Sequence, residues 1–475
     1  MITGKVLVVK SVLIGAVAGF MMLSCGKQAV AVSESDPWKN KELIIKSIPE
    51  THFPDKTYNI KDFGAVADGI TGNTLAFEKA IKVCAQNGGG KVLVPKGKYL
   101  TGAIHLESNV NLHLEDQAEI LFSINPKEYP VVHTSFEGTE LMNYSPLIYA
   151  KNKTNIAITG KGTLNGQADH TNWWIWSGGK DYGWKKGIPS QNDPQNREVL
   201  VDMAEKGVSV EERIFGDGRY LRPNFIEFFE CNTVLVKDVT IINAPFWILH
   251  PLKSENIIID GVTVSSHGPN NDGCDPEYSQ NILIKNCTFN TGDDCIAIKA
   301  GRDADGRRVA IPSKNIIVQN CKMIDGHGGV VIGSEISAGV NNVFVEDCVM
   351  DSPNLDRAIR IKTNSKRGGI IENVYVRNLE VGTVKECVLK LNMFYNVYGL
   401  QTGDFIPTIR NVSLENIKVK NGGKYGVWAE GYVQSPVENI TLKNVVIQKV
   451  DAVHLLKNVK NIKFINTYIN EKKVE

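Results

Sequence analysis

From about residue 230 one phrase returns along the chain: an Asn, then alternating apolar residues, then a polar residue and a short apolar pair. Its copies begin at Asn232, Asn256, Asn281, Asn315, Asn342, Asn373, Asn411, Asn439 and Asn461, with fainter ones at Asn109 and Asn155. They lie about 22 to 38 residues apart, the shortest interval being close to one minimal coil. Alternation rich in β-branched residues predicts short strands. With no long helical segment between them, a TIM barrel or a Rossmann sheet is excluded. A unit this short cannot bury its own apolar face, so each strand must pair with its copy one coil above and below. The prediction is an all-β parallel β-helix whose unequal intervals are loops of unequal length. The repeated Asn tolerates left-handed φ and can bond to its copy in the next coil, so it is assigned to the scaffold.

Two tracts stand outside the repeat. Thr74 to Asn87 predicts an amphipathic helix with Ala76, Phe77, Ala80, Ile81 and Cys84 on its apolar stripe, ended by Gly88-Gly89-Gly90. Placed before the first coil, it would cap bare strand edges. Residues 173–221 are aromatic and charged, and read as a large insertion with a short helix near Arg197 to Lys206.

The chemistry lies at similar offsets after successive Asn anchors. Asn270-Asn271-Asp272 follows Asn256, Gly292-Asp293-Asp294 follows Asn281, Gly326-His327-Gly328 follows Asn315, and Arg360-Ile361-Lys362 follows Asn342. In a stack, similar offsets fall on one wall, with coils about 4.8 Å apart. Carboxylates crowded this way raise each other's pKa, so that one can hold a proton while another activates water. Arg360 and Lys362 alternate with Ile361 and share a face, suited to a uronate carboxylate. On a regular strand Asp293 and Asp294 would face opposite ways, so the reading requires a local bend. The glycines beside His327 would leave room for a sugar ring.

The four motifs, in this order, resemble those of glycoside hydrolase family 28, the polygalacturonases, with Asn271 where that family carries Thr. Asp62-Phe63-Gly64-Ala65 and Gly88 to Tyr99 are similar to its first coil, so the resemblance runs from about residue 58 to the C-terminus. It implies a right-handed, pectin-lyase-like β-helix over residues 56–475 and inverting hydrolysis of α-1,4-galacturonosyl bonds in pectin, with no cofactor or metal and a monomeric enzyme. Asp293 would be the general acid, and Asp272 and Asp294 would hold and deprotonate water. His327 would assist Asp293, Arg360, Lys362 and Asn270 would bind substrate, and Tyr395, with Tyr398 nearby, would contact it. Same-family alternatives are rhamnogalacturonan and xylogalacturonan hydrolases. The rivals of another class are a Ca²⁺-dependent pectate lyase and a non-catalytic carbohydrate-binding β-helix. The insertion at 173–221 would close one end of the groove and give exo-action.

The remaining features adjust this picture. Lys+Arg total 53 and Asp+Glu 52, so no basic stripe points to nucleic acid. Lys5 and Lys10 precede an apolar run from Ser11 to Leu23, which reads as a signal peptide over residues 1–24. Leu23-Ser24-Cys25 resembles the lipobox of bacterial lipoproteins, implying lipidation at Cys25 and export to the periplasm or outer membrane of a Gram-negative cell, held only by the lipid. Residues 25–55 read as a polar tether. The other cysteines lack zinc-site spacing; Cys287, Cys321 and Cys348 recur at one repeat position, as stacked free thiols would. Trp173, Trp174 and Trp176 either stack on sugars or pack the insertion against the helix. His250 and His267 lie near the wall without a defensible pattern.

Overall fold

The alternating repeat builds three parallel sheets that wind together along one axis. In the computed structural model, which describes residues 36–396 and 402–475, every coil contributes a strand to the first sheet, where most of the repeated Asn residues sit. The second sheet runs through Ala118–Phe122, Thr163–Asn165, Thr240–Ile242, Thr263–Ser266, Thr288–Thr291 and Lys322–Asp325. The third runs from Ile104–His105 through Ile148–Lys151, Ile226–Phe229, Leu249–Leu252, Ile296–Ile298, Val330–Ile332, Arg357–Lys362, Cys387–Asn392 and Tyr425–Glu430 to Ala452–Lys457. Single bridges at Cys274 and Glu277 carry it across the middle coil. The fold is the right-handed parallel β-helix that was expected.

Register is set by burial. Leu112, Ile158, Val236, Ile259, Ile284, Val318, Val345, Val376 and Leu414 are consecutive partners in one inward column, all buried. A slip of one residue would turn this column into solvent, at about 1.5–3 kcal/mol for each side chain. The Asn ladder flanks it. Asn256, Asn281, Asn315, Asn411, Asn439 and Asn461 all have φ of 55–60°. Nδ2 of Asn281 donates to Oδ1 of Asn256 (3.2 Å), and Asn315 donates in turn to Asn281 (2.9 Å). The eight cysteines from Cys84 on are buried free thiols, and the backbone N–H of Cys321 points at Sγ of Cys348 (3.5 Å).

One expectation fails at the N-terminal side. Residues 37–47, read as part of a polar tether, form helix α1 (Pro37–Ser47), which lies on the outside of the first sheet. Ile44 and Ile48 pack on Leu283, Ile317 and Phe344, and Lys41 reaches the buried Glu346. The signal lay in the repeats rather than in the helix. Leu283, Ile317 and Phe344 are apolar at outward positions where alternation calls for polar residues, so something has to cover them. Helix α2 (Thr74–Gln86) caps the first coil with the predicted stripe buried. Within the insertion, helix α3 (Arg197–Glu205) forms where expected. A fourth helix, α4 (Asp303–Val309), interrupts the coil that carries Asp293. Cys25, Tyr398 and the signal-peptide segment lie outside the described residues.

Candidate active site

The site forms where the chain passes from the second sheet into the third. After Ser266 the chain turns through Asn270-Asn271-Asp272. Asn271 builds that turn: its Oδ1 accepts from Ser266 Oγ (2.6 Å) and Gly268 N–H (2.8 Å), and its Nδ2 donates to the carbonyls of Ala244 and Phe246. Asn270 takes a left-handed φ of 56° and accepts from Nη2 of Arg222 (2.7 Å). Asp272 is thereby aimed into a pocket that also contains Asp293, His327, Arg360, Lys362 and Tyr395.

One coil on, the required bend is present. Residues 292–295 leave the strand geometry of Thr288–Thr291 before Ile296–Ile298 begins. Thr291 Oγ1 donates to the Asp293 carbonyl (2.8 Å), and the Asp294 N–H donates to Asp293 Oδ1 (3.0 Å). Asp294 is fully buried and accepts from Nζ of Lys362 (2.7 Å). Nδ1 of His327 lies 2.9 Å from Oδ1 of Asp293.

The glycines beside His327 have a packing role that the sequence did not show. Gly326 has φ of 146°, and a Cβ there would meet the Asp293 carbonyl at 2.5 Å. At Gly328 a Cβ would meet Val331 at 2.3 Å. Gly326 thus lets adjacent coils approach closely enough for His327 to reach Asp293, whereas Gly328 makes room for Val331 of its own coil.

Arg360 and Lys362 project from one face of the third sheet while Ile359 and Ile361 fill the core. The Tyr395 ring stands 5.2 Å from each cation, its backbone held by the Thr363 carbonyl (2.9 Å). The expected site residues within the described chain therefore converge on one pocket, with Asp294 sealed just behind its lining.

Sequence reasoning missed a second layer. Lys299, at the end of the strand after the Asp pair, contacts Asp272 (3.3 Å), Asp275 (3.8 Å) and Glu335 (3.2 Å) and lies 4.6 Å from the Trp247 ring. Its alternation Ile296-Ala297-Ile298-Lys299 was the available signal. Asp275 is fully enclosed behind Asp272. Glu335, Arg302, Arg367 and Glu137 complete the lining and come from loops that the repeat does not predict.

The charges sort the carboxyls. Burial, and then the nearby charge of Asp293, push Asp272 up to about 7. Asp275, more deeply enclosed, is driven well above the carboxylate range by burial and then by Asp272. Burial acts to raise Asp293 too, but the hydrogen bond and charge of His327, helped by Lys362 and Lys299, hold it below the usual range. In return the hydrogen bond and charge of Asp293 lift His327 to about 9. Burial opposes the charge of Lys299, yet Glu335, Asp272 and Asp275 keep its ammonium well above its ordinary value. In the free site the proton assigned to Asp293 thus resides on the His327–Asp293 pair, mainly on the imidazole.

The insertion reaches the site at Tyr182, which lines the cleft that adjoins the pocket at His327. Among the described residues, the pocket lining includes none from 173–221. The pocket takes Glu137 from the tip of the hairpin Val131–Phe136/Thr139–Tyr144, and the insertion buttresses that hairpin: Leu200, Phe215 and Leu221 pack with Phe136 and Leu141, and Arg197 lies 3.6 Å from Glu137. Trp173 and Trp174 are buried packing residues, with Trp174 Nε1 donating to the Ala244 carbonyl (2.9 Å). His250 is sealed between Glu227 and Glu277, 3.0 Å from each, and His267 contacts Asn290 on the surface.

Comparison with known proteins agrees with this geometry. The family described as Glycosyl hydrolases family 28 matches residues 216–468, and the one described as Rhamnogalacturonase A/epimerase, pectate lyase-like, matches residues 57–155. A probable polygalacturonase of Vitis vinifera is 29% identical over 407 residues, covering 82% of this chain and 74% of the relative. An exo-poly-alpha-D-galacturonosidase of Dickeya chrysanthemi is 28% identical over 415 residues, covering 80% and 67%. The crystal structure of a hyperthermoactive exopolygalacturonase from Thermotoga maritima superposes with a TM-score of 0.89 at 44% identity, covering 92% of this chain and 97% of the other. With its four motifs gathered in one pocket and more than half its length matched, this chain belongs to glycosyl hydrolases family 28 and is a glycoside hydrolase.

Proposed function

We propose that the protein hydrolyses α-1,4-galacturonosyl bonds of polygalacturonate by single displacement with inversion. The observation that carries this reading is the meeting of Asp272 and Asp293 with Arg360 and Lys362 in one pocket, with Asp294 bonded to Lys362 just behind it. The cations suit the carboxylate of a galacturonate, and the carboxyls divide the proton work. The His327–Asp293 pair carries one proton and delivers it through Asp293 to the glycosidic oxygen. Asp272, ionised and steered by Lys299, takes a proton from a water that Asp294 helps to hold. The water oxygen bonds to the anomeric carbon as the glycosidic bond breaks, and the leaving chain departs with the donated proton.

Exo-action from a chain end fits the shape of the pocket. The hairpin roofs the third sheet on the N-terminal side, where Thr134 donates to Glu227 (2.7 Å) and Ser135 to Glu277 (3.2 Å). Its tip closes onto the site: the Arg302 N–H donates to the Gly138 carbonyl (2.9 Å), and Arg302 pairs with Glu137 (2.9 Å). A pocket blind on one side accepts a terminal sugar and excludes a chain running through. A Ca²⁺-dependent lyase fits less well, because Lys299 and Lys362 already occupy the positions between the carboxylates that a divalent ion would need.

Product analysis on polygalacturonate tests this. The expected result is galacturonate monomer from the earliest times, without the ultraviolet absorbance of an unsaturated product. A ladder of oligomers would overturn exo-action, absorbance would overturn hydrolysis, and turnover only of rhamnose- or xylose-bearing pectin would overturn the substrate.

Export with a lipid on Cys25 belongs to the same proposal, supported by the apolar run and Leu23-Ser24-Cys25. Labelled palmitate should enter the expressed protein and be lost in Cys25→Ser. Incorporation unchanged by that substitution would reject the anchor.

A further inference from the structure

The outward face of the third sheet does not end at the pocket. Strand pairing places Arg360 beside Lys390 and Lys390 beside Trp428, so these three side chains form one column across three consecutive coils. In the neighbouring column Lys362 is followed by Asn392 and then Glu430. The intervening Leu389, Leu391, Val427 and Ala429 point into the core, which fixes the others outward.

The column is a built surface. The Lys390 ammonium lies 3.6 Å from the Trp428 ring centroid and bonds to Glu386 Oε2 (3.0 Å). Trp428 is held in turn by its own Nε1, which donates to Glu430 (2.9 Å), and by an edge contact with Tyr425. Lys390 is 6% exposed whereas Trp428 is half-buried, so the indole covers the lysine and presents an outer face. The Lys390 cation fixes the indole from its inner side, and the outer face is a flat platform of the kind on which a sugar ring stacks. The hairpin that closes the pocket lies toward the other end of the sheet, on Glu227 and Glu277, and leaves this side open.

We propose that Trp428, backed by Lys390, forms an extended binding track for the leaving part of the polymer, holding the galacturonates beyond the first one past the bond that is cut. Successive coils are about 4.8 Å apart, roughly one sugar per coil, so a chain leaving Arg360 and Lys362 along the stack comes onto the Trp428 face within two coils. The track rests on the galacturonan reading above and adds a preference for longer chains.

The test is the ratio of kcat/KM for tetragalacturonate to that for digalacturonate, measured for the wild type, Trp428→Ala, Trp428→Phe and Lys390→Met. A dimer cut into monomers cannot reach the track, whereas a tetramer can. The ratio should fall about tenfold in Trp428→Ala and in Lys390→Met, and stay near the wild-type value in Trp428→Phe, which keeps a platform. Circular dichroism of each variant separates loss of fold from loss of contact. An unchanged ratio in the folded Trp428→Ala and Lys390→Met variants overturns the track. A wild type that hydrolyses neither oligomer overturns the galacturonan reading itself, a distinct outcome.

Discussion

Nδ1 of His327 lies 2.9 Å from Oδ1 of Asp293, across one coil of the stack and 34 residues of sequence. The two groups titrate as a unit. The carboxylate is held below its usual range, the imidazole is raised to about 9, and the pair keeps one proton through neutral pH. Asp272, raised to about 7, must lose its proton before it can accept one from water.

The pH profile of kcat/KM should therefore rise through an acid limb well above the ordinary carboxylate value, toward 7, and fall through a limb near 9. In His327→Asn the pair no longer exists, so the falling limb should move to lower pH and turnover should drop by about 10²–10⁴. A falling limb that stays in place would show that the proton does not come from this pair.

Asp293→Asn keeps the size of the side chain and removes the carboxyl. It should melt like the wild type and lose about 10²–10⁴ in turnover, read as new reducing ends. Near-normal product release would reject Asp293 as the donor.

Gly326→Ala tests the close approach of the two coils. The added Cβ would fall 2.5 Å from the Asp293 carbonyl at a φ of 146°, so the loops must part. A displacement of about 1 Å should cost roughly 10²-fold in kcat while the far coils keep their stability. A fully active variant would show that the His327–Asp293 contact tolerates looser packing.

His250 makes a prediction about stability rather than rate. Burial opposes its charge, but hydrogen bonds to Glu227 and Glu277 outweigh burial and raise it to about 9. Its folded value exceeds the ordinary 6.5, so the stability it contributes is full below 6.5 and is lost as pH climbs through about 9. The contribution is on the order of 3 kcal/mol. His327 is raised to about 9 as well, so the comparison must be made against a variant that retains it. The unfolding free energy of the wild type, read from urea titrations, should fall more between pH 6 and 9.5 than that of His250→Gln, roughly by that amount. Parallel curves would show that the cluster is not charged in the folded protein.

The architecture and the main catalytic groups were legible because they obey short-range rules. Alternation of period two dictates strands, the recurring left-handed Asn marks the turns, and similar offsets put Asp272, Asp293, His327 and Arg360 on one wall. Helix α1 escaped because its own apolar face is weak; only its docking site, on Leu283, Ile317 and Phe344, accounts for it.

The sequence by itself thus determined the coils and the placing of the four motifs on one wall, which follow from a repeat that every coil restates, and the capping helix α2, which follows from its own amphipathic stripe. Only the tertiary structure decided that Asp293 bonds to His327, that Lys299 pairs with Asp272, and that the tip of the 131–144 hairpin reaches the pocket. Those outcomes depend on burial, on charge separations of a few ångströms and on where unrepeated loops come to rest, and no local pattern encodes a distance between residues far apart in the chain.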